Sequence, residues 1–159
     1  MRTRRIVGLI HRRALWVLAV LVIATLAMSG CEASACAGSG CAPKETAVTS
    51  LALGPDYQNG KLTSTTTTFQ PTDTIHVAGQ ADIATTPTNI KGVWTAVDAG
   101  GAQNQAIIDK SIVWDKNPAS GVDFHFSFTH DKAMPAGKYK VDVYLNDTLA
   151  KTAEFTVPG

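Results

Sequence analysis

Residues 46–159 read as an all-β domain, an antiparallel arrangement of about seven or eight strands. Three observations predict it. From Thr46 onward, short runs rich in Val, Ile, Thr, Phe and Tyr recur, broken by Gly, Pro, Asn and Asp, which is the texture of strands and turns. No stretch there holds a helical spacing of apolar residues over three turns. Several runs alternate apolar and polar side chains one by one, as a strand with a single buried face must.

The expected strands are Ala47–Leu53, Lys61–Thr68, Thr74–Asp82, Asn89–Val97, Gln105–Trp114, Val122–His130, Gly137–Leu145 and Leu149–Val157. Turn signals separate them: Gly54-Pro55-Asp56, Asn59-Gly60, Gln70-Pro71-Thr72-Asp73, Gly100-Gly101, Asn117-Pro118 and Pro135-Ala136-Gly137. Alternation assigns the faces. Val122, Phe124, Phe126 and Phe128 point to the core, with Asp123, His125, Ser127 and Thr129 opposite. Ile75, Val77 and Ala81 oppose His76 and Gln80 in the same way. In the closing hairpin, Tyr139 must meet Phe155 and Val141 must meet Ala153 to share a face. That parity requires a three-residue loop, or a two-residue turn with a bulge.

Two runs are less plain. Thr63-Ser64-Thr65-Thr66-Thr67-Thr68 suits an edge strand, because threonine is β-branched; a glycosylated tract is the other reading. Gln105–Trp114 is apolar on both faces, with Ile107 and Val113 against Ile108, Ile112 and Trp114. Burial in the sheet centre is the first expectation for it, a contact patch the second.

The domain resembles the immunoglobulin-like and fibronectin-like sandwiches of bacterial surface proteins. The residues that carry the resemblance are Phe69-x-Pro71-x-Asp73-x-Ile75, Trp94 in a middle strand, and Gly137-Lys138-Tyr139-x-Val141-x-Val143 closing on Phe155-Thr156-Val157. It implies an immunoglobulin-like antiparallel β-sandwich with Trp94 buried in its core. No cysteines fall on the expected strands, so the inter-sheet disulfide of antibody domains is absent.

The N-terminal fifth has a different character. Arg2, Arg4, Arg5, Arg12 and Arg13 precede the first acid, Glu32, and Ala14–Met28 is a 15-residue stretch without a charge. A positive start, a short apolar run and small residues make a secretory signal; a spanning helix needs about 20 apolar residues. Ala27-Met28-Ser29-Gly30-Cys31 resembles the lipobox of bacterial lipoproteins, with Met28 where leucine is usual. The resemblance implies a signal peptide (a signal helix) over residues 1–30, cleavage before Cys31 and lipidation of Cys31. An uncleaved anchor, or ordinary cleavage near Ala33-Ser34-Ala35, are the alternatives. The expected location is the extracytoplasmic side of the cell membrane or outer membrane. The expected partners are that membrane, through the lipid, and an envelope protein or glycan.

Residues 31–45 are rich in Ala, Gly and Ser and read as a flexible tether. Within it, Cys36 and Cys41 could close a small disulfide loop in an oxidising compartment, supply half a zinc site, or stay free thiols. From Cys31 onward there are nine lysines, no arginine and thirteen acids, a formal charge of −4. That balance excludes a basic nucleic-acid surface.

Chemistry-bearing patterns are few. There is no Gly-x-Ser-x-Gly elbow, His-Glu-x-x-His pair or phosphate loop, so no enzyme and no cofactor are expected. Asp73, Asp82, Asp98 and Asp109 stand near turns or strand ends, where aspartate is favoured for its own hydrogen bonds. No metal site is expected. The candidates, were one present, are His76 and His125 on presumed outer faces, which meet only if their strands are neighbours. A small-ligand or metal-binding envelope protein, with one of them at a sandwich-end pocket, is the second functional expectation.

Overall fold

The computed structural model describes residues 43–159. The signal segment, Cys31, Cys36, Cys41 and most of the tether lie outside the described residues. Nine strands follow: β1 (Ala47–Gly54), β2 (Tyr57–Gln58), β3 (Lys61–Leu62), β4 (Ile75–Ile83), β5 (Thr88–Ala99), β6 (Ala102–Trp114), β7 (Ala119–Phe128), β8 (Gly137–Leu145) and β9 (Thr148–Val157). Seven of them build an immunoglobulin-like sandwich of a three-stranded sheet, β1-β4-β7, and a four-stranded sheet, β6-β5-β8-β9. The hairpin β2-β3 stands apart as its own small sheet. In antibody constant domains the fourth strand in sequence joins the sheet of the first two; here β6 pairs instead with β5, giving three strands against four.

The alternation seen in the sequence sets the core. Phe124, Phe126 and Phe128 of β7 are all buried, as are Ile75, Val77, Ala81 and Ile83 of β4. Trp94 of β5 is 0 % exposed. Its ring meets Phe126 edge-on at 6.3 Å and tilts over Phe128 at 5.9 Å. Its Nε1 has no hydrogen-bond partner among the described residues. Gly79 is where the Phe124 ring lies against the β4 backbone: a Cβ there would come within 2.6 Å of Phe124 Cζ.

The turns follow their residues. Asn59-Gly60, Gly100-Gly101 and Asn146-Asp147 all have positive φ at both positions, the geometry of tight two-residue hairpin turns. The last of them settles the closing hairpin. Leu145 pairs with Thr148 across a two-residue turn, and a register shift between Val143 and Tyr144 restores parity. Tyr139 then faces Phe155 and Val141 faces Ala153. Tyr139 also forms a tyrosine corner: its hydroxyl donates to the Pro135 carbonyl at 2.7 Å, and its ring stacks on Phe155 at 5.2 Å.

Two sequence expectations are corrected. Of Lys61–Thr68, only Lys61–Leu62 is strand. The threonines turn locally instead, with Thr66 Oγ1 bonded to both the nitrogen and the carbonyl of Thr68, the competition that hydroxyl side chains offer to a ladder. The chain then crosses between the sheets. Thr66 N bonds the Leu53 carbonyl of β1, and Phe69 N and the Thr67 carbonyl bond Thr156 of β9. The other correction concerns Gln105–Trp114. It is not central but belongs to β6, the edge of the four-stranded sheet, and most of its residues are exposed. With only three strands opposite, the outermost of four is left without a cover.

Candidate functional site

The pairing β4–β7 brings His76 and His125 together. Ala78 lies opposite His125 and Ser127 opposite His76, so the two imidazoles are diagonal neighbours on the outer face of the three-stranded sheet. His76 Nδ1 and His125 Nε2 are 3.0 Å apart, an N–H···N hydrogen bond. Their ring centres are 5.2 Å apart and their planes 16° from parallel. Tyr57, from the β2-β3 hairpin, lies flat on His125 at 3.7 Å, 5° from parallel. Burial, then the nearby charges of His76 and Lys110, push the His125 imidazole below its ordinary value.

The condition set by the sequence, that the two strands be neighbours, is therefore met. Tyr57 was not legible, because a two-residue strand carries no periodicity. Lys110 was not legible either, because it comes from the other sheet. His130 stays apart: its Nδ1 is held at Lys132, and its ring stands edge-on to Phe128. Among the described residues, no group of three or more His, Cys, Asp or Glu side chains could hold a metal ion.

The candidate acids serve local structure where their bonds are visible. Asp73 Oδ2 accepts from Gln70 N, and Asp82 Oδ1 accepts from Gly121 N. Asp142 is the buried acid. It is held by Lys140 at 2.7 Å and by the Thr152 hydroxyl at 2.6 Å, so its charge is matched within its own sheet.

A hollow of about 330 Å³ lies at one end of the sandwich, between the β5-β6 hairpin and the segment before β8. Its walls include Ala96, Ala102, Ile107, His130, Met134 and Tyr139. The histidine there is His130; His76 and His125, expected at such a pocket in the ligand-binding reading, sit on the sheet face instead. The other exposed feature is the uncovered strand β6. Ile108, Ile112 and Val113 are 37 %, 41 % and 63 % exposed, and Lys116 Nζ rests 5.2 Å over the Trp114 ring.

No protein-family model matches this chain, and no curated protein matches it. Solved structures share its fold. An immunoglobulin-like protein from Pseudomonas aeruginosa aligns with 74 % of this chain and 99 % of its own, at 15 % identity and a TM-score of 0.50. A β-glucosidase from Listeria innocua, in complex with glucose, aligns over 72 % of this chain but only 16 % of its own, at 14 % identity and a TM-score of 0.46. The first likeness shows an immunoglobulin-like fold.

Proposed function

We propose that this chain is a cell-envelope lipoprotein, anchored through Cys31, that presents its sandwich as a non-enzymatic binding or assembly module. The observation that carries the binding half is strand β6. It is thirteen residues long, lies at a sheet edge, and exposes Ile108, Ile112 and Val113. Of the devices that blunt natural edges, β6 lacks shortness and proline; it carries Asp109, Lys110 and a bulge at Ile107, and the apolar stretch Ile112–Trp114 lies beyond them. An edge of this kind recruits an extended segment of another protein by main-chain pairing, with side-chain contacts setting preference. An envelope protein supplying such a strand is the partner the feature supports; a glycan is the other candidate. The lipobox-like Ser29-Gly30-Cys31, behind a positive start and a short apolar run, supports the anchor.

Fractionation of cells tests the anchor. Cys31→Ser is expected to release the protein from membranes or to leave an uncleaved precursor. Mature protein that still needs detergent after the change rejects lipidation. For the module, a photo-crosslinker at Val113 is expected to join the chain to an envelope partner in intact cells, and Ile112→Lys to abolish the product. Crosslinking unchanged by Ile112→Lys rejects β6 as the contact.

A further inference from the structure

We propose that His76 and His125 form a two-imidazole site for a borderline divalent transition-metal ion, Cu²⁺ before Zn²⁺, on the outer face of the β1-β4-β7 sheet. This goes beyond the binding module on β6 and uses none of its residues. The argument is geometric. Two adjacent imidazoles on one ion have nitrogens about 2.0–2.1 Å from it, which sets the nitrogens about 2.9 Å apart at the right angle of a tetragonal copper site and about 3.3 Å apart at a tetrahedral one. Here the nitrogens are 3.0 Å apart and the ring centres 5.2 Å. The two nitrogens face each other across their hydrogen bond, so an ion enters by small χ1 and χ2 rotations that turn both lone pairs toward one point beside it.

The donor type narrows the ion. Imidazole suits copper, zinc and nickel, and among divalent ions at a nitrogen site copper binds most tightly. No third His, Cys, Asp or Glu joins the pair among the described residues. With two protein ligands only, the remaining positions are left to water or to an incoming donor. The metal-free pair is not wasted: its N–H···N bond satisfies both nitrogens when no ion is present.

The test uses the full chain in detergent with its thiols alkylated, titrated with CuCl₂ and then ZnCl₂ by calorimetry. One equivalent of Cu²⁺ is expected, bound more tightly than Zn²⁺. His76→Gln and His125→Gln each remove one of the two ligands and are expected to weaken it by more than the about tenfold that losing an outer-shell partner costs, while His130→Gln leaves it unchanged. Pulsed electron paramagnetic resonance of the copper form is expected to report two coordinated imidazoles, a readout that needs no variant. No one-to-one binding, binding that survives both changes, or a copper spectrum with fewer than two imidazoles overturns the proposal.

Discussion

The two lateral sides of this sandwich are built in opposite ways. On the β1/β9 side the chain from Thr66 to Phe69 runs between the sheets. Backbone bonds join it to Leu53 on one sheet and Thr156 on the other, and Lys151 reaches the Thr49 carbonyl alongside. Phe69 is driven fully into the core there and meets Phe155 edge-on at 5.4 Å. On the β6/β7 side, the bond seen between the two edges is from Lys110 Nζ to the Ser127 carbonyl. The apolar side chains beside it, Ile108 and Ile112, are only partly covered. One side is a seam that holds the sheets together, and the other is a surface left available.

The difference should appear most strongly in stability. Phe69→Ala removes a fully buried ring from the closed side. Such truncations cost about 3–5 kcal/mol, against a total of about 5–15 kcal/mol for a domain. Urea melts are expected to show a much lower midpoint, with the crossing segment newly open to proteolysis. A loss below about 1 kcal/mol would mean that this side is no more closed than the other.

The sharper probe of the closed side is Tyr139, which stacks on Phe155 behind Phe69. Burial raises its phenol above the ordinary tyrosine value. Below pH 10 both folded and unfolded chains keep the proton, and the full stability is present. As pH rises through about 10 the unfolded chain ionises first, so stability falls until the folded value is passed. Tyr139→Phe is expected to remove that part of the alkaline slope. At neutral pH it should cost about 0.5–1.5 kcal/mol for the lost bond to Pro135. Melts at pH 7 and above pH 10 give both numbers.

Legibility in the sequence divides along the same line. The interior was open to reading, because alternation reports burial directly: the three phenylalanines of β7 and the Tyr139–Phe155 register both follow from it. The edges were not. Ile107, Ile108, Ile112 and Val113 look like a buried strand because composition records apolarity. Whether a strand lies opposite depends on the width of the other sheet. The threonine run failed for a related reason, since β-branched residues suit extended chain generally and do not distinguish a ladder from a crossing. The histidines were half legible. Their shared outward face came from parity, but their contact needed the strand order, and Tyr57 needed the hairpin.

The smallest expected effect completes the contrast. Ile112 is as bulky and apolar as a core residue, yet 41 % exposed on β6. Exposed substitutions away from special features usually stay within about 0.5 kcal/mol. Ile112→Ala should therefore leave the urea midpoint almost unmoved, although its composition resembles a core truncation worth about 2–5 kcal/mol. A large loss would show that β6 is covered in solution, by another copy or by a rearranged edge, and the open side would then be an occupied interface. A small loss is what an open side requires of Ile112.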